Sequence, residues 1–273
     1  MANRSIKVLE DVEYQTDADM TLLANVYLPQ QNSKQVGILL IHGGAWQTGS
    51  KDRLHQWGCF LAEQGYTAMA VNYRLSKPNM STWPAVLYDI QASYDFFIKH
   101  ADEWQINRDQ IGVIGASAGA HLATLFALAP PKKAMIKAVV GVYGVYDLKS
   151  WRTYTQQVRD DDPVGKMMGN TPEQAPQEYH LASPIYQIKP NLSTRFFIIW
   201  GEDDEIVPCE DQSVLFVQKL KEANISVETL SIPGQGHFWF YTGDHESGVD
   251  INEYPNHQVK QDILRFLDKS FNF

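Results

Sequence analysis

The pentapeptide Gly115-Ala116-Ser117-Ala118-Gly119 sets a serine among residues with almost no side chain. It follows the apolar run 111–114 and opens Ala120-His-Leu-Ala-Thr-Leu125, a stretch of helix formers, so the local reading is strand, sharp turn and helix. A nucleophile on such a turn needs small neighbours, because helix and strand must approach closely there. The Ser117 hydroxyl would then project above the end of a sheet. The bland alternative is a small-residue helix start with a capping serine.

A serine hydroxyl is a poor nucleophile at neutral pH; it needs a general base, and the base needs an orienting carboxylate. The C-terminal half supplies both. Gly201-Glu-Asp-Asp-Glu-Ile-Val-Pro208 lies beyond the apolar run 196–200, and the spacing from the turn to Val207 and Pro208 selects Asp204. Asp203 is the runner-up, and Asp147, after the apolar run 139–143, is a competitor. His237, in Pro233-Gly-Gln-Gly-His-Phe238, is delivered by a glycine-bracketed loop and is the candidate base; His42, His121, His245 and His257 are read as structural. The tetrahedral intermediate of acyl transfer carries an oxyanion that preorganised N–H donors stabilise. His42-Gly-Gly-Ala-Trp46 follows the run 36–41 and offers the amides of Gly44 and Ala45, while Ala118, next to the nucleophile, offers a third.

Three distant segments can meet only if the elements between them form one sheet edge. Apolar runs at 36–41, 67–72, 110–115, 137–143, 194–200 and 226–232 alternate with helical periodicity at 52–64, 84–100, 117–128, 209–222 and 256–270. Repeated strand and helix predict a parallel α/β sheet with right-handed crossovers. Residues 5–14 and 20–28 alternate as strands with no helix between them, which predicts an antiparallel edge. Residues 148–191 carry Pro163, Pro172, Pro176, Pro184 and Pro190 among Trp151, Tyr154, Met167, Met168 and Tyr179, too much for a plain loop, and predict an insertion of short helices capping one end of the sheet. Phe238, Trp239, Phe240 and Tyr241 beside His237, with Trp46 opposite, read equally as an acyl pocket or as core aromatics.

The chain has 273 residues, 23 Lys and Arg against 32 Asp and Glu, and a formal charge of −9. That balance argues against nucleic acid or anionic lipid as the main partner and leaves small uncharged substrates open. No apolar run is long enough to span a bilayer, and Met-Ala-Asn-Arg-Ser-Ile-Lys7 leads into a charged strand-like stretch. The expectation is a soluble, unexported, cytoplasmic protein with no membrane partner, whose Cys59 and Cys209 are free thiols outside any metal-ligand spacing. No metal site is expected.

Taken together, these segments resemble the α/β-hydrolase superfamily, and within it the carboxylesterases related to hormone-sensitive lipase and the feruloyl or acetyl-xylan esterase-like proteins. The resemblance spans nearly the whole chain and rests on His42-Gly-Gly-Ala-Trp46, Asn72-Tyr-Arg74, Trp83-Pro-Ala85 with Asp89, residues 111–123, Ala182-Ser-Pro184, residues 201–208 and Gly236-His237. It implies a single α/β-hydrolase domain over 1–273, a mostly parallel eight-stranded sheet with helices on both faces, and 148–191 as a small cap-like insertion. It also implies hydrolysis of small short-acyl esters, acetylated or aryl- or sugar-borne, through a serine acyl-enzyme and without a cofactor, and it leaves a homo-oligomer open. The oxyanion loop reads H-G-G-A where many relatives have H-G-G-G, and Ala120-His121 stands where the lipase-like group has Gly-Asn. The same combination resembles the arylformamidases, which cleave an N-formyl bond with the same machinery. A peptidase would need an additional screening domain, and a non-catalytic binder would lack a member of the Ser117, Asp204 and His237 set.

Overall fold

A computed structural model describes residues 5–17, 20–242 and 248–273. His245 lies outside the described residues. The N-terminal pair, β1 (Ile6–Asp17) and β2 (Met20–Pro29), is antiparallel, and β2 joins the rest of the sheet by a second antiparallel pairing, Ala24 opposite Val71. The uninterrupted apolar runs then follow: β3 (Gly37–Ile41), β4 (Thr67–Val71), β5 (Ile111–Ala116) and β6 (Ala138–Val142) are buried at every position. Such strands are covered on both faces, which is why they carry no polar alternation. β7 (Arg195–Gly201) is buried through its centre, whereas β8 (Val227–Ile232) lies at the edge and is fully buried only at Ile232. The order is β1-β2-β4-β3-β5-β6-β7-β8, with β3 to β8 parallel.

The covering helices are α1 (His55–Glu63), α2 (Ala85–Lys99), α3 (Ala118–Leu128), α7 (Leu215–Glu222) and α8 (Asn256–Phe271), and between β6 and β7 run α4 (Leu148–Val158), α5 (Pro163–Met168) and α6 (Pro176–Ala182). The pleat sends alternate strand residues to opposite faces. Leu39, Ile41, Val113 and Ile198 meet Ile90, Phe97, Leu122, Phe126 and Phe216 of α2, α3 and α7. Ile38, Leu40, Ile114 and Ile199 meet Trp57 and Leu61 of α1 and Ile263, Phe266 and Leu267 of α8. Two cores on one sheet result. The helical runs read at 52–64 and 209–222 each begin irregularly, with a 3-10 turn at Lys51–Leu54 and a π-turn at Glu210–Val214.

The stretch after β6 is ordered by its own caps. Asp147 accepts from the Ser150 amide to start α4, and Asp162, ahead of Pro163, accepts from the Gly165 amide to start α5. Arg152 holds the Asp162 carboxylate with both Nε and Nη2, tying α4 to α5. Leu148, Trp151, Val164, Met167 and Tyr179 pack into the same core as α2 and α3. Among the described residues no helix is long and apolar enough to cross a membrane.

Candidate active site

The turn between β5 and α3 is closed by contacts that tolerate no side chain. A Cβ on Gly119 would lie 2.1 Å from the Ile41 carbonyl oxygen, so the start of α3 rests directly on the end of β3. Ser117, at the bend, has φ 55° and ψ −121°, a conformation that costs a non-glycine residue on the order of 1–3 kcal/mol and persists only where surroundings enforce it. Here the Ser117 amide donates to Val142 O of β6 at 2.9 Å, and its carbonyl accepts the His121 amide at 3.1 Å.

The loops that follow β7 and β8 are laced together. Glu202 donates its amide to Ile232 O at 3.1 Å, and Asp203 donates to Gln235 O at 3.0 Å, so the acid-bearing and histidine-bearing loops cannot move independently. Asp204 turns inward: Oδ1 accepts the amides of Ile206 and Val207, each at 2.9 Å, and Oδ2 lies 2.7 Å from His237 Nδ1. With a carboxylate accepting at Nδ1, that nitrogen carries the proton and Nε2 is left as an acceptor. His237 Nε2 is 2.9 Å from Ser117 Oγ. Both side chains are buried, at 1% exposure for His237 and 0% for Asp204, and the imidazole packs against the Tyr143 ring at 4.3 Å. The other carboxylates point elsewhere. Asp203 is exposed, and Asp147 is engaged by the Ser150 amide and the Tyr186 hydroxyl.

The loop after β3 runs beside Ser117 with Gly44, Ala45 and Trp46 at φ 117°, 52° and 59°. A Cβ on Gly44 would meet Thr48 O at 2.0 Å, so glycine is obligatory there, and the resulting turn accepts the Gln47 and Thr48 amides on Gly44 O. Among the described residues the amides of Gly44, Ala45 and Ala118 donate to no protein group. Trp46 locks the turn: its carbonyl accepts the Ser76 amide, its Nε1 donates to His121 Nδ1 at 3.2 Å, and its ring meets Trp151 of α4 edge-on at 5.7 Å.

His121 and His42, read as structural, are both buried. His121 Nε2 donates to Ala182 O at 2.7 Å, and burial lowers its pKa from 6.5 to about 4. His42 stacks on Tyr73 at 4.3 Å, with burial likewise lowering its pKa to about 4. His257, at the first turn of α8, is exposed. The four aromatics after His237 divide unevenly: Trp239, Phe240 and Tyr241 are buried in the core under α1 and α8, the Tyr241 hydroxyl reaching Ser117 from behind, and Phe238 lines the cleft. Trp46 is fully buried in the loop after β3 instead of walling the pocket.

Ser117 and His237 open into a cavity of about 350 Å³ walled by Phe238, Ile206 and Trp151, with Arg53 and Arg159 also at its surface. Sequence reasoning had no signal for these two arginines, since an Arg in a polar stretch looks like any solvated charge. Tyr143 was legible only as the end of a strand. Among the described residues no three His, Cys, Asp or Glu side chains gather to hold a metal ion. Chemically, the cleft can pass a proton from hydroxyl to imidazole and can offer three amides to a developing negative charge.

Comparison with known proteins finds relatives for this chain. The BD-FAE family model matches residues 24–220. The chain is 32% identical over 196 residues to a probable carboxylic ester hydrolase, LipM, of Mycobacterium tuberculosis, a match covering 67% of this chain and 44% of that protein. It is 33% identical over 235 residues to an acetyl esterase of Salmonella typhi, covering 79% of this chain and 68% of the relative. The match to the esterase LipC of Mycobacterium tuberculosis covers 52% of that protein, so the chain spans about half the length of these mycobacterial relatives. Among solved structures, a truncated carbohydrate esterase from gut microbiota superimposes with a TM-score of 0.79 at 22% identity over 99% of this chain and 98% of that one. At that identity the likeness establishes the fold, an α/β-hydrolase sheet of eight strands.

Proposed function

This chain belongs to the BD-FAE family of α/β-hydrolases, and from that premise we propose that it is a serine carboxylesterase acting on small esters with short acyl groups. The observation that carries the reading is the row Ser117 Oγ, His237 Nε2, His237 Nδ1 and Asp204 Oδ2, with separations of 2.9 and 2.7 Å, beside amides that have no acceptor among the described residues. Relatives named as an acetyl esterase and a carboxylic ester hydrolase support the bond type, and a cleft of about 350 Å³ supports the short acyl group.

In the proposed mechanism Ser117 Oγ attacks the ester carbonyl while His237 Nε2 takes its proton. Asp204 holds the imidazole in that tautomer and stabilises the imidazolium without itself becoming protonated. The amides of Gly44, Ala45 and Ala118 receive the oxyanion; their positions are fixed before substrate arrives, so no reorganisation is needed at the transition state. His237 then protonates the departing alkoxide, and in the second half-reaction it activates a water that releases the acid from Ser117. Every step uses groups of this chain and calls on no cofactor. The insertion 148–191 acts as a wall of the cleft through Trp151, whose Nε1 donates to Ile206 O at 2.9 Å. The free thiols of Cys59 and Cys209 support a cytoplasmic location.

A panel of p-nitrophenyl esters from acetate to octanoate tests the reading, with N-formylkynurenine as the control for the arylformamidase alternative, which needs the same machinery. Turnover should be greatest for acetate to butyrate and absent in Ser117→Ala. A preference of about a hundredfold for the formamide, or equal ester turnover by Ser117→Ala, would remove it.

A further inference from the structure

The cleft around Ser117 is lined by two cations. The chain as a whole carries −9, yet two arginines line this cavity, Arg53 from the 3-10 turn after the oxyanion loop and Arg159 from the end of α4. Among the described residues neither guanidinium has a carboxylate partner within ion-pair distance. The acid next to Arg53 in the chain, Asp52, is engaged by Lys51 and the Asn25 amide. The one carboxylate among the residues lining the cavity, Asp161, is held by Lys166 on one oxygen and by Gln47 Nε2 at 2.9 Å on the other, and Arg159 acts on it only through space, beyond ion-pair distance.

Arg53 is also preorganised. Its guanidinium carbon stands 5.4 Å above the Tyr241 ring, its carbonyl accepts the Thr242 amide at 2.9 Å, and the side chain is half-buried between those contacts. A guanidinium held over an aromatic face keeps its donors free and loses little rotamer freedom when an anion arrives. Arg159 is exposed at the mouth, where a cation raises the local concentration of anions without fixing them.

We propose that Arg53 and Arg159 make this site selective for esters that carry a carboxylate, Arg53 pairing with it in the bound substrate and Arg159 drawing it in. The inference rests on the reading of Ser117 as the nucleophile of an ester hydrolase and adds the charge of its substrate. A planar carboxylate matches the fork of Arg53 donors, and inside a cleft that pair is screened less than on an open surface.

Two isosteric pairs test it: 4-acetoxybenzoate against 4-acetoxybenzamide, with the charge on the leaving group, and the 4-nitrophenyl monoester of glutaric acid against that of glutaramic acid, with the charge on the acyl group. In one pair or both, kcat/KM for the carboxylate should exceed that for its neutral twin by about tenfold or more at low salt, and the ratio should shrink by 0.5 M NaCl. Arg53→Gln should bring the ratio close to one, and Arg159→Gln should lower it through the salt-dependent part. A ratio is internal to each preparation, so partial misfolding of a variant cancels. Ratios of one or less in both pairs, or a preference unchanged in both variants, would overturn the proposal while neutral-ester turnover left the esterase reading intact. Turnover of none of the four esters would sink the esterase reading, and this inference with it.

Discussion

Ser117, Asp204 and His237 each depend on a different neighbour for their usefulness, and the dependence sets how variants should behave. Removing the Ser117 hydroxyl or the His237 imidazole interrupts a row whose members act together, so Ser117→Ala and His237→Ala should each lower kcat by on the order of 10⁴-fold, with little further loss in the double variant. Asp204→Asn keeps the shape but replaces the charge that orients Nδ1, and steady-state kinetics should show a loss of somewhat less than that. Asp203→Asn and Asp147→Asn should leave kcat within about threefold, because one side chain faces solvent and the other caps α4. Harmless Asp204→Asn beside a dead Asp147→Asn would move the acid to the strand before. That these three side chains meet was legible because a serine nucleophile demands a base and an acid in a fixed order, and the Val207-Pro208 turn singled out one carboxylate of four, the one found 2.7 Å from His237. Arg53 and Arg159 were illegible for the opposite reason: a positive side chain acquires meaning only from the cavity it faces.

At the scale of elements, the site is held by close approaches and caps. Gly119→Ala would drive a methyl group to 2.1 Å from the Ile41 carbonyl, so β3 and α3 must separate; circular dichroism melts and ester kinetics should report both lower stability and a kcat/KM loss of at least tenfold. Wild-type kinetics in that variant would mean that the elbow is slacker than its packing implies. Asp162→Ala removes the α5 cap and the anchor of Arg152 at once and should cost about 1–2 kcal/mol, a fall of a few degrees in Tm. The strands were readable because burial on both faces removes polar alternation, and even β8 declared itself by its shorter, mixed run. What escaped was which face the aromatics beyond His237 would choose. A run of four large rings has no period, and the packing of α1, α8 and Tyr143 draws Trp239, Phe240 and Tyr241 inward.

Across the whole molecule, two neutral histidines in the interior give stability a direction with pH. His42 and His121 each fall from an ordinary 6.5 to about 4 when buried, so as pH drops below about 6.5 the unfolded chain takes up protons that the folded chain refuses. Stability should therefore be flat above pH 7 and decline between about pH 6.5 and 4, by up to ~3 kcal/mol for each histidine. Urea midpoints taken across that range should decline less steeply in His121→Gln, and an unchanged slope would contradict the assignment. Asp161, kept below the usual carboxylate range against desolvation by Lys166 and Gln47, weakens the fold only at still lower pH.

On the proposed function, the sheet, its two cores and its laced loops serve one acyl-transfer step at residue 117. Intact-mass and peptide mass spectrometry of the protein treated with a p-nitrophenyl phosphonate, followed in parallel with residual esterase activity, measures that most directly. One adduct per chain is expected, on the peptide bearing Ser117, forming in step with loss of activity and failing to form in Ser117→Ala. Full activity in the singly modified protein, or complete inactivation with the adduct on another residue, would contradict it.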